Sequence, residues 1–323
     1  MIKNRFVLID AFALIFRAYY ALPPLTNKEG TQLNAAYGFS SALFSAIKAL
    51  EPEYLAVGFD LPKPTKRHLE YVEYKAHRAP TPEDLMAQVP YVKEILKVMN
   101  IPVIAVEGYE GEDIIATIVA KSKAQNPNVK EYIIVTGDLD TLQLVDEQTK
   151  VYSMARGVNQ AMMYDIEKVK ERYGLKPSQF VDFKALKGDP SDNIPGVPGI
   201  GEKGAANLIK QFGSLEKLYQ EISNIKSQMS NKSQITNDKK IQNKLKISEK
   251  ILRLLIENKE QANLSYKLSK IETNVPLEFN LADAKIHDYD QQKVIVLFNK
   301  LGFKSLINRL PKSHRLDNQQ KLL

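Results

Sequence analysis

Short apolar runs in the first 140 residues stop again and again at a carboxylate, and this punctuation leaves the chain few architectures to choose from. Phe6-Val7-Leu8-Ile9 ends at Asp10, and Tyr54-Leu55-Ala56-Val57-Gly58-Phe59 ends at Asp60. Ile101–Val106 leads to Glu110-Gly111-Glu112-Asp113, and Tyr132-Ile133-Ile134-Val135 leads to Asp138 and Asp140. Such runs read as strands buried on both faces. Helical patterns lie between them: Asn34–Leu50, then Glu83–Met99, where Pro90 should start or kink the helix, then Gly111–Ala124. This alternation over residues 1–180 predicts an α/β fold with a mostly parallel central sheet flanked by helices. Side chains at the carboxyl edge of such a sheet converge on its ligand crevice.

Two further acidic clusters are Asp146-Glu147, read as a solvated helix end, and Asp189 with Asp192. A lone Asp after a strand is ordinarily a helix N-cap, and Asp10 or Asp113 taken singly would be read that way. So many carboxylates together, however, require cations or protons. The economical reading is a site for two divalent metals of the kind that work on phosphodiesters. The chain has no cysteine, and His68, His77, His287 and His314 show no metal-ligand spacing. A site built of oxygen favours Mg²⁺, with Mn²⁺ able to substitute, over Zn²⁺.

With 323 residues, 44% hydrophobic and 26% charged, the chain can bury a sizeable core in two domains. Its net charge of +7 does not by itself name a nucleic-acid partner. The N-terminus runs directly into a strand with no secretory signal, and no stretch approaches the ~20 apolar residues of a membrane span. A cytoplasmic, membrane-free monomer is expected.

The alternation breaks at Leu61–Pro82, which holds four prolines together with Lys63, Lys66, Arg67, Lys75, His77 and Arg78, and has Tyr71 and Tyr74 interleaved. A basic, aromatic segment starting directly after Asp60 reads as an arch over the site, against the plainer reading of a solvated, proline-stiffened connection. Beyond residue 180 the pattern turns helical. Gly196-Val197-Pro198-Gly199-Ile200-Gly201-Glu202-Lys203 precedes a helix expected at Gly204–Phe212. A Gly-Ile-Gly turn offers backbone N–H groups at a helix N-terminus, with Lys203 beside it, which suits gripping a DNA backbone without reading bases. Ser223–Lys250 is polar and lysine-rich: a flexible loop running into a solvated helix, or a supplementary phosphate-contacting surface. Residues 311–323 read as a tail or linker.

The chain resembles the 5′ nuclease, or flap endonuclease, superfamily, and most closely the 5′→3′ exonuclease domain at the N-terminus of bacterial DNA polymerase I. The carriers are Val7-Leu8-Ile9-Asp10, Ala36-Tyr37-Gly38-Phe39, Phe59-Asp60 with Arg67-His68, Tyr74-Lys75 with Arg78-Ala79-Pro80-Thr81-Pro82, and Gly108-Tyr109-Glu110-Gly111-Glu112-Asp113. Thr136-Gly137-Asp138 with Asp140 and Gln143-Leu144, Gly188-Asp189 with Ser191–Gly196, and Gly199-Ile200-Gly201 with Lys203 complete the set. The resemblance implies a PIN-like nuclease domain (1–180, arch at 61–82) followed by a helical helix-hairpin-helix (helix-three-turn-helix) DNA-binding domain (181–310, hairpin at 196–212). It implies a first metal site at Asp10, Asp60, Glu110, Glu112 and Asp113, and a second at Asp138, Asp140, Asp189 and Asp192. Glu110 with Asp113, and Asp189 with Asp192, stand at i, i+3, the spacing of one helical face. Glu112 departs from the bacterial pattern, which carries Asp there; the eukaryotic relatives are similar in having Glu-x-Glu.

The resemblance also implies hydrolysis of DNA near a 5′ end or at a 5′ flap, including RNA–DNA primers, with Asp10 and Asp138 central to catalysis. Lys75 and Arg78 would neutralise charge at the scissile phosphate. Tyr74 would stack on an unpaired base, and Arg17, Tyr37 and Arg67 would be substrate contacts. Gly199, Ile200, Gly201 and Lys203 would hold duplex phosphates, with K⁺ at the hairpin carbonyls. The chain would be either a free-standing protein or one domain of a gene product that also carries a polymerase. Two alternatives remain open: an RNA-cleaving PIN-type nuclease, and a non-catalytic module that binds flap DNA.

Overall fold

The computed structural model describes residues 4–154, 160–227, 245, 247–286 and 288–313. The polar stretch 223–250 falls largely on 228–244 and 246, outside the described residues, as does the tail from 314 onward. In chain order the strands are β1 (Arg5–Asp10), β2 (Tyr54–Gly58), β3 (Val103–Ile104), β4 (Glu131–Thr136), β5 (Thr149–Ser153) and β6 (Met162–Tyr164). The helices are α1 (Ala11–Ala21), α2 (Asn34–Leu50), α3 (Lys66–Glu70), α4 (Glu83–Met86), α5 (Val89–Val98), α6 (Gly111–Gln125) and α7 (Ile166–Tyr173). They continue as α8 (Phe180–Lys187), α9 (Glu202–Phe212), α10 (Leu215–Ser227), α11 (Glu249–Glu257), α12 (Lys259–Ser269), α13 (Gln291–Leu301) and α14 (Lys304–Ile307). Among the described residues no helix is long and apolar enough to cross a membrane.

The chain forms two compact units. The first draws on residues up to Thr65, on Ala79–Asp165 and on the segment from Ile271; the second comprises Lys66–Arg78 and Ile166–Lys270. This division differs from the one expected from sequence in three ways. The first unit stops at 165 rather than 180, most of the arch packs with the second unit, and the chain beyond 270 returns to the first. The arch is also not one long loop, since it contains α3.

The six strands of the first unit lie in the order β3-β2-β1-β4-β5-β6, all parallel except the edge strand β6. The apolar runs explain the arrangement: Phe6–Ile9 and Tyr132–Val135 are fully buried because β1 and β4 occupy the middle of the sheet. Connections run outward from β1 on one side and from β4 on the other, so the topological switch falls between these two strands. The expected third strand, Ile101–Val106, is reduced to two residues. Pro90 lies in the first turn of α5, where its missing N–H costs nothing, so it starts a helix rather than kinking one.

Helix α2 has no cap of its own. Buried Gln88 supplies one from α5's threshold, its Oε1 accepting the N–H groups of Ala35 (2.8 Å) and Ala36 (3.3 Å). The returning segment closes the unit. Phe279 stacks on Phe6, Phe298 stacks on Phe44, and Phe303 meets Tyr37 edge-on at 5.3 Å. Asp146 corrects another expectation: it is no helix end but a turn into β5, accepting the N–H groups of Gln148 and Thr149 and pairing with Lys123.

The second unit is helical, with α8 packed against α9 and α12. Two backbones meet at its centre. Gly196 and Gly188 have φ of +64° and +75°, and a Cβ on Gly196 would stand 2.3 Å from the Gly188 nitrogen. Only glycine fits both the conformation and the space. Gly196→Ala is therefore expected to destabilise the second unit by about 3 kcal/mol or more in denaturant unfolding, with no rescue from a compensating rotamer.

Candidate metal and nucleic-acid site

Three carboxylates of the first unit stand at or just past the ends of its central strands. Asp10 closes β1, caps α1 through the Ala13 N–H (3.2 Å) and accepts the Thr136 hydroxyl (2.9 Å). Thr136 also accepts the Asp138 N–H (2.9 Å), so one hydroxyl links the ends of β1 and β4 across the switch point. Asp138 in turn accepts the Asp140 N–H (2.9 Å) and caps the 3₁₀ turn Leu139–Leu144. Asp60 accepts the Gly111 N–H (2.9 Å). Gly58 makes that approach possible: a Cβ there would stand 2.9 Å from both the Gly111 carbonyl and the Ile115 side chain. The N-terminus of α6 thereby docks on the end of β2 and carries Glu110, Glu112 and Asp113 with it.

The electrostatics follow from this crowding. Burial, then the charge of Asp60 and more weakly that of Asp138, push Asp10 up to about 7, against the Ala13 and Thr136 hydrogen bonds that favour its carboxylate. A cation is the natural relief for such repulsion, and every donor is an oxygen, so the chemistry fits a hard divalent ion. Among the described residues no three acidic side chains are gathered tightly enough to hold an ion as they stand.

Asp113 is placed differently from its neighbours. It is 1% exposed, and its two oxygens accept the N–H groups of Glu110 (3.1 Å) and Glu272 (2.8 Å). It thus caps α6 and pins the returning segment, a task shared by Gln143 on Ile271 and Thr117 on Val275.

In the second unit Asp189 and Asp192 do not share a helical face, as their spacing had suggested. They lie on a turn closed by paired hydrogen bonds between Asp189 and Ile194, both 2.8 Å. Asp189 meets the nearly buried ammonium of Lys184 (2.7 Å) and accepts both the N–H and the hydroxyl of Ser191. Burial opposes the charge of Asp189, but Lys184 and Ser191 outweigh it and hold the group down at about 2. Asp192 is flanked by Arg78, by Lys75 (3.9 Å) and by the Tyr74 hydroxyl (3.3 Å). Two of the arch cations, Lys75 and Arg78, therefore meet at this carboxylate.

Several expected DNA contacts are already engaged elsewhere. Tyr74 is 2% exposed among Ile194 and Leu268, so in this conformation its ring offers no face to a base. Arg67, 7% exposed, donates to the carbonyls of Leu268 (3.1 Å) and Lys270 (2.8 Å) and fastens α3 to the end of α12. Tyr37 is half-buried and bonded to Ser305 (2.9 Å), and Arg17 is half-buried on α1. At the hairpin Gly199 is exposed with φ +86°, but Ile200 is buried and its N–H donates to the Val197 carbonyl (2.9 Å). Gly201 heads α9, which starts at Glu202, two residues earlier than expected, without a side-chain cap, and Lys203 is exposed in the first turn. Thr136, Lys184 and Ser191 were not singled out as site residues from sequence. Each had a signal: a hydroxyl ending a buried strand, a lysine inside the apolar Phe183–Leu186 run, and a serine between two acids.

Family models place these features. A 5′-3′ exonuclease N-terminal resolvase-like domain matches residues 5–174, and a 5′-3′ exonuclease C-terminal SAM fold matches 175–292. The chain belongs to the 5′-3′ exonuclease family, a family of nucleases. It is 38% identical over 308 residues to DNA polymerase I of Caldicellulosiruptor bescii, covering 95% of this chain and 33% of that protein. DNA polymerase I of Bacillus subtilis is 37% identical over the same length, covering 95% and 32%. The chain thus spans about a third of the relatives it matches. Its fold is similar to that of bacteriophage T5 5′-exonuclease with bound zinc (TM-score 0.62, 22% identity, 83% of this chain and 90% of that one). It is also similar to the catalytic core of Rad2 in complex with DNA substrate (TM-score 0.57, 16% identity, 96% and 93%).

The raised Asp10 carries a consequence for pH. An unfolded Asp ionises near 3.9, so the folded protein without metal holds more protons than the unfolded chain between roughly pH 4 and 7, and loses stability across that window. Asp10→Asn is expected to raise the melting temperature of the metal-free protein by several degrees at pH 8, with the gain shrinking toward pH 4. Thermal scans in EDTA at both pH values check it.

Proposed function

We propose that this chain hydrolyses phosphodiesters of DNA at 5′ ends and 5′ flap junctions, with divalent metal held at the carboxyl edge of the sheet. The observation that carries the reading is Asp10: buried at the end of β1, bridged to β4 by Thr136, and pushed to about 7 by its burial, then by the charge of Asp60 and more weakly that of Asp138. Asp10, Asp60, Glu110 and Glu112 are the ligands assigned to one ion, and Asp138 and Asp140 to a second. Asp189 and Asp192 join the second set on their sequence motif alone. Asp113 belongs to the first set by motif, while its hydrogen bonds give it the work of a cap. Mg²⁺ is the assigned metal, with Mn²⁺ as a substitute; when bound, the ions would activate water and neutralise the leaving 3′ oxygen.

The chain's own residues do the rest. Thr136 holds Asp10 and Asp138 in register, and Gly111 orients Asp60. Lys75 and Arg78 bring two positive charges to one carboxylate and are the cations assigned to a substrate phosphate. Lys203 and the turn at Gly199–Gly201 hold duplex phosphate without reading bases, with K⁺ assigned to the turn's carbonyls. Affinity should accordingly fall steeply with salt.

The direct test is cleavage of a 5′-labelled DNA flap by wild type and Asp138→Ala, each with Mg²⁺ or EDTA. Metal-dependent cutting near the junction, reduced by at least about 10³-fold in the variant, is the expected result. Tight flap binding without cutting in Mg²⁺ or Mn²⁺ would make the chain a binding module, and preference for a matched RNA flap would make it an RNA nuclease. Lys75→Ala and Arg78→Ala are each expected to lower the single-turnover rate by about 10²-fold or more, with a smaller change in flap affinity. Rapid-quench measurements at saturating metal separate the two effects.

A further inference from the structure

We infer that Asn193 is a positioning residue for the arch: its amide locks the turn that carries Lys75 and so sets where the Lys75 ammonium stands. The inference rests on the reading of Lys75 as a cation that meets substrate phosphate. All the contacts involved lie within the second unit.

Lys75 and Asn193 both occupy the left-handed region, with φ of +57° and +56°. Non-glycine residues persist there only where their surroundings hold them. Beside the side-chain bonds of Arg78 to the Ser191 carbonyl (3.3 Å) and of Arg78 and Tyr74 to Asp192, two hydrogen bonds join the segments at these two residues themselves. The Lys75 N–H donates to the Asp192 carbonyl (2.9 Å), and the Asn193 Nδ2 donates to the Glu73 carbonyl (2.7 Å). Around Lys75 the arch is a tight series of turns, in which Ala76 donates to Glu73 (3.0 Å) and Arg78 donates to Lys75 (3.0 Å). Glu73 thus anchors the Lys75 turn from within, and Asn193 anchors Glu73 from outside.

The amide is not needed to close its own turn. That turn is already held by the paired Asp189 and Ile194 bonds and by the Ser191 bonds to the Asp189 carboxylate. The bond of the Asn193 side chain leaves the turn and goes to the arch. The consequence falls on Lys75 and Arg78, whose charged groups meet Asp192 one residue away, with the Lys75 ammonium also 4.9 Å from the centre of the Tyr74 ring. A lysine's charge swings on a flexible stem, so only a fixed backbone gives it a fixed reach. Asparagine suits the position because it tolerates the left-handed region and also donates. Glycine supplies the conformation alone, and aspartate supplies the shape without the donor.

This difference gives the test. Single-turnover cleavage of a DNA flap in saturating Mg²⁺ is measured for wild type, Asn193→Gly, Asn193→Asp, Lys75→Ala and the Asn193→Gly/Lys75→Ala double variant, with melting temperatures alongside. Both Asn193 variants are expected to cut about tenfold or more slowly, with flap affinity nearly unchanged and melting within a few degrees of wild type. In the Lys75→Ala background Asn193→Gly should change the rate by less than about twofold. Wild-type cutting by Asn193→Gly would overturn the inference, since glycine's conformation would then suffice. Additive losses in the double variant would overturn it too, as would unfolding of both single variants, which would make Asn193 a residue of the fold. Wild-type cutting by Lys75→Ala would instead remove the reading of Lys75 itself, a separate and recognisable failure.

Discussion

Keeping several carboxylates at the carboxyl edge of one sheet is the constraint that the other features of the first unit answer to. Like charges in a partly dry site repel strongly, and the fold offsets part of that repulsion with backbone N–H groups at helix starts. Asp10 caps α1, Asp138 caps the following 3₁₀ turn, and Asp60 takes the first N–H of α6. Burial, together with the repulsion that the caps do not cancel, holds Asp10 at about 7. The edge of the sheet is therefore a concentration of negative charge that the backbone N–H groups offset only in part.

The second unit solves the opposite problem. Its acids come with cations already in place: Lys184 on Asp189, and Lys75 with Arg78 on Asp192. Asp189 is accordingly held down at about 2, while Asp10 is held up. Burial pushes both carboxylates up; the charge of Asp60 adds to it at Asp10, whereas Lys184 and Ser191 outweigh it at Asp189. The arch contributes more than charge here. Its Tyr74 and Arg67 are structural fasteners, while Lys75 and Arg78 hold their charged groups at Asp192.

Much of this was legible in the residues. The apolar runs before Asp10, Asp60 and Asp138 are strands β1, β2 and β4, helix α2 falls on Asn34–Leu50 as its pattern predicts, and Pro90 marks the start of a helix, while the run Ile101–Val106 yields only the two residues of β3. The carboxylates after the strands were legible as a group because repetition outweighs the ordinary reading of each as a cap. Single roles were less legible. Asp113 has the sequence position of a ligand and the hydrogen bonds of a cap, because one of its partners, Glu272, lies 159 residues away. Tyr74 reads as an exposed aromatic among basic residues, yet it packs under Ile194 and Leu268, which no local pattern reveals.

By itself the sequence determined the alternation of strand and helix and the oxygen-only donor set. These depend on local periodicity and on the absence of cysteine, which need no knowledge of distant neighbours. Only the tertiary structure decided that residues from Ile271 onward complete the first unit, that Lys66–Arg78 packs with the second, and which acids face cations and which face each other. Those outcomes depend on through-space distances between residues far apart in the chain. A charge's neighbours set its state, and sequence order does not specify them.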